Sequence, residues 1–491
     1  MFRRINKYRK WRTLLQNVTD TLGRPDDFVV RTLTVKGYQR KVYCLYIRSI
    51  TDKTVINEYI VEPIMNGNFE EAESSLAQQN QFIQEYKLSS MYQQQLEQLV
   101  VDALLSSRAV VADVEEDRLL FFPCAHSDHR QISEPDSEAV IRGPHEGFTE
   151  SLETNIGLIR KRLPNPNVRL ELFHIGRDTQ TKVMLLYIAN ITPDPIVQEA
   201  RRRIEKIDTD SVLESSYIEE YIQDNMYSVF PTLANTEKPD VVVARLLEGK
   251  VAFLVDGTPS VIMGPMTFFE FFSSPEDHYE RADIATFIRF IRFISFVIAV
   301  LVPAIYVATT SFHPELLPTA LVISLASQAE GVPLPTLAEV LIMEIIFEII
   351  REAGLRMPRA IGQALSIVGA IVLGQAAVEA GLISAAVVIV VAVTAIANFV
   401  VPVYGFGIAQ RLLRFSFLIL GGFMGLFGVL CGLLFLIIHL ISLESFKVPY
   451  MAPAVPFYFA DWKDVFFRVP RPHMGKQRLP QYLLDVRKKS R

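Results

Sequence analysis

The distribution of apolar residues divides the chain into two unlike parts. Charged residues are spread through residues 1 to about 285, whereas Phe293–Leu443 is largely apolar. An apolar run of about 20 residues is long enough to cross the hydrocarbon core of a bilayer as a helix. The pattern therefore predicts a soluble N-terminal half, followed by an α-helical polytopic membrane domain over residues 286–445.

One block of the soluble half occurs twice. KVYCLYIRSITD begins at Lys41 and KVMLLYIANITP at Lys182, an offset of 141, with seven of the twelve paired positions identical. Each copy begins with a pair of β-rich stretches, continues with a helical stretch, and ends in a helix and a hairpin. Because a register kept over such a distance indicates duplication, we predict tandem α/β subdomains, residues 26–135 and 166–265, after a basic segment, 1–25.

The second copy contains a strong turn signal at Asp256-Gly257. We expect a type I′ turn there, which needs positive φ at both central residues. Two packed subdomains can also form a ligand-binding cleft between them. A rigid platform for assembly is the alternative, and duplication by itself favours that alternative.

Four apolar segments are predicted to cross the membrane. They are Phe293–Phe312, Ile361–Val378, Ala380–Gln410 and Phe415–Leu443. A fifth segment, Leu337–Arg351, is short for a span. If it crosses, the positive-inside rule places the arginines between 351 and 414 in the cytosol, but leaves the basic tail, 446–491, outside. If it does not cross, the tail is cytoplasmic and those arginines are misplaced; the tail favours this second topology, with one amphipathic segment.

Acidic residues in the fifth segment are candidates for function. Glu344, Glu348 and Glu352 recur every four residues and so share one helix face. Carboxylates between membrane spans are costly unless they face water, a cation or the interface. An ion-pathway role for Glu344 and Glu348 and a placement in the interface are equally compatible with this pattern.

The segment Ile361–Val378 has two adjacent helical ridges. One is a strip of small residues that includes Ala370, and the other is polar at its ends and branched-aliphatic between them: Gln363, Ile367, Ile371, Gln375 and Glu379. A pore-lining helix with a hydrophobic gate has this pattern, because apolar rings can close a pore by dewetting. Plain helix packing explains the pattern equally well.

Glycines recur in the last apolar segment. Gly421, Gly425, Gly428 and Gly432 form two pairs of small residues four apart. In lipid, glycine lets helix backbones approach closely. These glycines therefore predict a helix-contact face rather than a nucleotide-binding loop.

Charge and motif content exclude several classes of function. A formal net charge of −5 over 491 residues gives no reason to expect a nucleic-acid partner. The chain contains no phosphate loop, GxSxG or HExxH pattern, so we expect neither an enzyme nor a cofactor. The block CAHSDH places Cys124, His126, Asp128 and His129 together, but a solvated loop is the better interpretation and no metal site is predicted.

The cysteines and the N-terminus bear on compartment. The three cysteines, Cys44, Cys124 and Cys431, are far apart and without redox spacing, which predicts reduced, packed thiols. The N-terminal MFRRINKYRKWR is basic but is not followed by the apolar stretch of a secretory signal. We therefore expect the N-terminal half to stay in the cytosol.

Four long sequence blocks resemble one protein family. They are VDGTPSVIMGPMTFFEFFSSPEDHYER (Val255–Arg281), SFHPELLPTALVISLASQAEGVP, MPRAIGQALSIVGAIVLGQAAVEAGLISAAVVIVV and RGPHEGFTESLETNIGLIRKRL (Arg142–Leu163). Together they resemble the A subunit of the GerA-type nutrient germinant receptors of endospore-forming bacteria. The resemblance covers nearly the whole chain.

This resemblance implies a function that the residues alone do not give. It implies a subunit of an oligomeric, nutrient-gated ion channel whose opening releases cations. The expected partners are a permease-like B subunit, a lipoprotein C subunit and further copies of this chain. The expected location is the spore inner membrane, with the N-terminal half on the core side, and the resemblance favours the pore role for Ile361–Val378. A non-conducting scaffold is the alternative.

Overall fold

The computed structural model describes residues 2–36, 40–67, 83–88, 91–125, 142–356, 374–473 and 479–489. These residues form two compact units. The first contains the described residues up to 223, Asn235–Pro265 and 479–489. The second contains Asp224–Ala234 and the described residues from 266 to 473.

The first unit contains two five-stranded sheets. The strands of the first are β1 (Phe28–Thr34), β2 (Lys41–Ile47), β3 (Gln84–Lys87), β4 (Arg108–Asp113) and β5 (Arg118–Pro123). The strands of the second are β6 (Val168–Ile175), β7 (Thr181–Ile188), β8 (Ala234–Thr236), β9 (Val251–Val255) and β10 (Val261–Gly264). The order is β1-β2-β4-β5-β3 in the first sheet and β6-β7-β9-β10-β8 in the second.

The two sheets therefore have the same topology. The repeated blocks form β2 and β7, and each of these strands is second in its sheet, antiparallel to both neighbours. The predicted α/β duplication is confirmed by this equivalence. The exact limits of the predicted domains stay a prediction.

Helices cover the sheets and connect their strands. In the first copy they are α1 (Phe2–Leu22), α2 (Lys53–Val55, continued by a π-helical turn Ile56–Val61 and by Glu62–Met65) and α3 (Gln93–Leu105). Later in this unit they are α4 (Leu152–Arg162), α5 (Asp194–Glu205), α6 (Ser215–Ile222), α7 (Pro239–Leu247) and α14 (Gln481–Lys489).

Both faces of the first sheet are buried. Along β2, Leu45 and Ile47 face one apolar cluster, while Cys44 and Tyr46 face another, as the two-residue period of a strand requires. Helix α1 supplies Trp11 to the first cluster. The segment predicted only as basic is thus part of the subdomain core.

The predicted type I′ turn at Asp256-Gly257 is wrong. Only Gly257 of the pair has positive φ, 92°, and five residues separate the ends of β9 and β10. The Asp256 N–H donates to the Lys182 carbonyl at 2.9 Å, and the Asp256 carboxylate accepts from the Leu152 N–H at 3.2 Å. These contacts hold Asp256 against neighbouring elements and leave no tight two-residue turn.

The second unit is mainly helical. Its longer helices are α8 (Ala282–Phe312), α9 (Thr319–Ala329), α10 (Thr336–Arg356), α12 (Ala385–Phe399) and α13 (Tyr404–Ser442), and the short helix α11 covers Gly374–Glu379. Among the described residues, α8 and α13 are the two helices that are long and apolar enough to cross a membrane. The predicted class, an α/β half followed by a helical apolar half, is confirmed.

Helix α13 folds back on itself at Gly425. This glycine has φ 61° and ψ −151°, which no α-helix contains. A Cβ added to Gly432 would lie 3.0 Å from the Phe417 ring, and one added to Gly421 would lie 3.3 Å from the Val429 side chain. Such contacts require two antiparallel arms, 404–424 and 426–442, so the single predicted span Phe415–Leu443 is wrong.

One phenylalanine, Phe230, contacts both ends of this helical hairpin. Phe230 lies 6.0 Å from Phe406 at the start of α13 and 6.3 Å from His439 near its end, measured between ring centroids. The glycines predicted to form a helix-contact face do lie at helix contacts. Gly428 and Gly432 pack against the first arm of α13, whereas Gly421 and Gly425 lie close to Ala304 and Phe312 of α8. The predicted segment Ala380–Gln410, expected to close at Pro402 and the Arg411/Arg414 pair, is divided at Pro402: α12 ends at Phe399 and α13 begins at Tyr404.

Contacts between the helices fix their directions. The first arm of α13 runs parallel to α8, since Phe296 contacts Phe406 and Phe312 lies beside Gly425. Helix α10 runs antiparallel to this arm, since its Leu337 lies against Gly422 near the tip and its Glu348 bonds to Arg411.

These directions bear on the two topologies that the sequence left open. Both ends of α13, the C-terminal end of α10 and residues 444–473 lie at the same end of the second unit as the start of α8. The backbone N–H of Arg468, for example, donates to Thr286 Oγ1 at 3.1 Å. The described arginines at that end of the second unit include Arg351, Arg356, Arg411, Arg414 and Arg468, because α13 turns back at Gly425.

Candidate functional site

Three helices of the second unit bring polar side chains together inside apolar surroundings. Each helix contributes a pair spaced four residues apart, which places both members on one face. The pairs are Glu344 and Glu348 on α10, Thr394 and Asn398 on α12, and Gln410 and Arg414 on α13. Of these, Glu344, Thr394, Asn398, Gln410 and Arg414 are buried.

Two arginines neutralise the two carboxylates. Arg414 Nη2 lies 3.0 Å from Glu344 Oε2 and 2.8 Å from Glu348 Oε1, and Arg411 Nη1 donates to Glu348 Oε2 at 3.0 Å. Thr394 Oγ1 donates to Glu344 Oε1 at 3.4 Å. We call Glu344, Glu348, Arg411 and Arg414 the four-charge cluster; its formal charges cancel.

Burial of the charges and the antiparallel packing of two helices explain why the cluster forms. Glu344 and Arg414 have solvent-exposed side-chain fractions of 0% and 1%. A single buried charge at either position carries a desolvation cost of several kcal/mol, so each requires the other. Since α10 and the first arm of α13 are antiparallel, the four-residue spacing of the acids meets the three-residue spacing of Arg411 and Arg414.

Sequence analysis found the acids but assigned the arginines differently. Arg411 and Arg414 were expected to mark the cytosolic end of a span, whereas the structure makes them partners of Glu344 and Glu348. Two arginines three residues apart near the start of an apolar helix are the signal that could have indicated partners for the acids. The pathway role of the two acids stays a prediction.

The predicted pore residues are mostly outside the described residues. This holds for Gln363, Ile367, Ala370 and Ile371. Gln375 is described: it lies exposed on α11, and its Nε2 donates to Glu379 Oε1 at 2.9 Å. The exposed part of the predicted ridge is thus polar in an otherwise apolar region.

A second buried ion cluster lies at the start of α8. The Asp277 carboxylate accepts from Arg289 Nε at 2.9 Å and from Arg292 Nη1 at 2.8 Å. Arg289 also donates to the Asp464 carbonyl at 2.6 Å. These two arginines join the segments before and after the apolar helices.

A polar cleft lies between the two α/β subdomains of the first unit. Its volume is about 460 Å³, and its lining residues include Arg169, Glu171, Tyr187 and Arg201. Glu171 accepts from Tyr187 Oη at 2.6 Å and from Arg201 Nε at 2.6 Å. Burial and this bond to Glu171 raise the pKa of Tyr187 to about 12, so the tyrosine is neutral and donates at ordinary pH.

A buried salt bridge holds the subdomains on either side of this cleft. Arg160 of α4 donates to the Asp27 carboxylate at 2.8 and 2.9 Å. Ser49 Oγ donates to the same carboxylate at 2.6 Å. The two copies are therefore fixed to each other by a charge pair that is almost fully removed from water.

The cysteine and metal predictions have different outcomes. Cys44 and Cys124 are buried, as expected, and burial raises the pKa of both thiols to about 12, which keeps them protonated. Cys431 is exposed and therefore not packed. His126, Asp128 and His129 lie outside the described residues; among the residues that the structure describes, no group of three or more potential ligands could hold a metal.

Comparisons with known proteins all find similarity to spore germination proteins. The sequence model of the family described as Bacillus/Clostridium GerA spore germination protein matches residues 16–479. Spore germination protein KA of Bacillus subtilis (strain 168) is 42% identical over 464 residues, which cover 93% of this chain and 85% of that protein. Spore germination protein GerLA of Bacillus cereus is 38% identical over 471 residues, covering 96% and 95%.

One solved structure is also similar. It is the N-terminal domain of the A subunit of the Bacillus megaterium spore germinant receptor GerK3. The sequence identity is 29%, the match covers 52% of this chain and 94% of that one, and the TM-score is 0.38.

Proposed function

Because the chain belongs to the GerA spore germination protein family, we propose that it is the channel-forming A subunit of a nutrient germinant receptor. In this proposal it is a non-enzymatic subunit that oligomerises in the spore inner membrane. It assembles there with a permease-like B subunit and a lipoprotein C subunit. Nutrient sensing by the complex opens a path for cations.

The exposed polar edge of α11 is the observation that supports conduction by this chain. Gln375 and Glu379 are exposed and bonded to each other, although they belong to an apolar helical region. Polar groups at such a position are stable when they face water inside a pore. We place Gln375 at the end of a pore-lining helix whose other lining and gate residues are Gln363, Ile367, Ala370 and Ile371.

The exposed apolar surface of the second unit supports membrane insertion and self-association. On the returning arm of α13, Leu434, Phe435 and Ile438 are each more than half exposed. On α9, Leu321 and Ile323 are exposed, and no residue of that helix is buried. Lipid and neighbouring copies are the surroundings that would cover these side chains.

The directions of the helices support an inside location for the N-terminal half. In this proposal α8, α10, the predicted pore-lining helix Ile361–Val378, α12 and both arms of α13 cross the membrane. The described arginines at the end of α10 and the start of α13, together with residues 446–473, then face the spore core. This arrangement satisfies the positive-inside rule. The domain limits predicted above, with a membrane domain over 286–445, are part of the same proposal.

The four-charge cluster has a role in the proposed pathway. Glu344 and Glu348 are paired with arginines, so we propose that the acids act on cations when the helices separate and the pairs loosen. Each carboxylate can separate from its arginine only if the contact between α10 and the first arm of α13 changes. Access of an ion to the acids is therefore coupled to movement of these helices.

Ion flux through vesicles tests the proposal. The chain is co-purified with its B and C subunits, reconstituted into K⁺-loaded liposomes, and the cation selectivity of nutrient-triggered release is measured. Glu379→Gln should lower the preference for cations over anions if this residue faces the path. Glu352→Gln, the same change at an exposed position on α10, should leave selectivity unchanged.

The scaffold alternative predicts a different result. If the chain only tethers its partners, Glu379→Gln and Glu352→Gln give the same selectivity, and any flux comes from another subunit. Equal selectivity of both variants with normal assembly would therefore overturn the proposed function.

A further inference from the structure

A group of aromatic side chains surrounds the start of α8. Its members come from the first turns of α8 and from the segment after the last helix of the second unit. They are Phe287, Phe290, Phe457, Phe459, Trp462, Phe466 and Phe467, which we call the aromatic belt. Phe459 is 78% exposed, Phe457 67%, Phe287 65% and Phe467 58%. Ring contacts join Phe457 to Trp462, Trp462 to Phe466, and Phe466 to Phe290. Large rings exposed to this degree mark an interaction surface.

The aromatic belt lies at the boundary between charged and apolar sequence. The exposed Arg281–Asp283 ion pair precedes it on α8, and Phe293 begins the uncharged stretch. Phe466 contacts both Phe290 and Phe293, with ring centroids 5.6 and 5.1 Å apart. The rings brought by the C-terminal segment are thus at the level where α8 changes from polar to apolar surroundings.

Hydrogen bonds fix the C-terminal segment at this level. Arg468 Nη1 donates to the Glu280 carbonyl at 2.9 Å, and Arg289 Nη1 donates to the Asp464 carbonyl at 2.6 Å. Trp462 stacks on Phe466 at 5.8 Å. Because these two bonds lie on either side of Phe466 and Phe467, the two rings cannot move away from the boundary without breaking buried contacts.

The aromatic belt continues into the exposed face of α8. Ile284, Phe287, Ile291 and Ile294 are all exposed and follow the three-to-four-residue period of one helix face. In a helix that crosses a bilayer, such a face contacts lipid. Lys463, also exposed, supplies a cation beside the rings, which suits anionic headgroups.

We propose that the aromatic belt lies in the headgroup region of the bilayer and anchors the helical unit at the membrane surface. Aromatic side chains concentrate in this region because their rings suit its mixed polarity. The segment after α13, predicted as a cytoplasmic tail, is then membrane-bound from Val455 to Phe467. The proposal requires membrane insertion of α8 but not conduction, so failure of the channel proposal leaves it intact.

Quenching of a single tryptophan by brominated lipid tests the depth of the belt. The chain has two tryptophans, Trp11 and Trp462; both are changed to Phe, and Phe459→Trp is added. The full chain is reconstituted in phosphatidylcholine–phosphatidylglycerol vesicles with bromine placed near the glycerol or near the chain end. We expect a larger loss of emission with bromine near the glycerol and little quenching by acrylamide from water.

Two matched variants calibrate the measurement. Phe435→Trp, on the exposed apolar arm of α13, should be quenched more by bromine near the chain end. Tyr92→Trp, exposed in the first unit, should be quenched by acrylamide and not by bromine.

Three results would overturn the proposal. Quenching of the Phe459→Trp variant by acrylamide alone would place the belt in water. Strongest quenching by bromine near the chain end would place it in the hydrocarbon core. Resistance to both quenchers would show that a protein, either another subunit or a second copy, covers the rings.

Discussion

The guanidinium of Arg414 lies 3.0 Å from the carboxylate of Glu344, and both side chains are removed from solvent. Their partners Glu348 and Arg411 complete a neutral set within an apolar helical unit. A buried ion pair adds little net stability, because desolvation of the charges offsets their attraction. Loss of one partner is nevertheless costly, because it leaves a buried charge uncompensated.

Removing one charge of this pair should therefore destabilise the helical unit. Breaking a buried pair costs about 3–5 kcal/mol, and we expect Glu344→Gln to lie at the lower end, since Glu348 still holds Arg414. Thermal unfolding of the full chain in detergent measures the loss. Glu352→Gln is the control, because its pair with Arg356 is exposed and worth about 0–1 kcal/mol. Equal stability of the two variants would contradict the importance of burial.

Removing the charge of Asp277 should destabilise the protein by a similar amount. This carboxylate compensates two buried guanidiniums, those of Arg289 and Arg292, so Asp277→Asn should cost about 3–5 kcal/mol and release the C-terminal segment from α8. Limited proteolysis after Lys447 reports that release. Asp283→Asn removes an exposed partner of Arg281 and should leave the proteolysis rate unchanged; the same rate in both variants would argue against an anchoring role.

The hairpin at Gly425 makes a prediction about topology. In vesicles of the full chain with Cys431 replaced by Ser, Arg281→Cys and Glu444→Cys should react with a membrane-impermeant maleimide from the same side. Phe427→Cys, near the tip and 64% exposed, should react from the other side. If positions 281 and 444 react from opposite sides, α13 crosses once and the hairpin is wrong.

The predicted gate residues can be tested although they lie outside the described residues. Ile367→Ala or Ile371→Ala should widen an apolar constriction and lower the cost of wetting it, so spores should germinate without nutrient. If these residues only pack helices, each change leaves a cavity that costs about 2–5 kcal/mol and lowers the amount of receptor. Germination frequency, measured together with receptor abundance in the membrane, separates the two outcomes. Reduced abundance without spontaneous germination would exclude the gate.

The first unit should lose stability as pH rises towards neutrality. The pKa of Glu219 is raised from an ordinary 4.5 to about 7. Burial is the main cause, and repulsion by the Glu214 carboxylate is the second. Between these values the folded state binds more protons than the unfolded state, so the free energy of unfolding falls as pH increases. Thermal unfolding of the full chain across this range measures the slope.

Glu219→Gln should flatten this pH dependence, whereas Glu220→Gln, an exposed neighbour, should keep it. Ionisation of Glu214 does not contribute to the pH dependence between 4.5 and 7. Burial opposes its ionisation, but hydrogen bonds from Ser215, Ser216 and Thr258 outweigh burial and lower its pKa to about 2. Its contribution is lost only as pH falls below 4.5, so an unchanged slope in Glu219→Gln would mean that another group titrates.

The sequence by itself determined the class of fold and the duplication. The repeated blocks at Lys41 and Lys182 were enough, because a strand with both faces buried reads as a short, nearly continuous apolar run, which does not depend on distant residues. The apolar helices were equally visible from composition. Glu344 and Glu348 were found because four-residue spacing is a local property of a helix.

Only the tertiary structure decided how these elements meet. A glycine with positive φ in an apolar run has the same sequence signature as a glycine at a helix contact, so the reversal at Gly425 could not be read from the chain. Arg411 and Arg414 followed the positive-inside rule in sequence, yet their partners are far away along the chain. Local sequence gives the cost of burying a charge, whereas the packing of antiparallel helices determines which opposite charge compensates it.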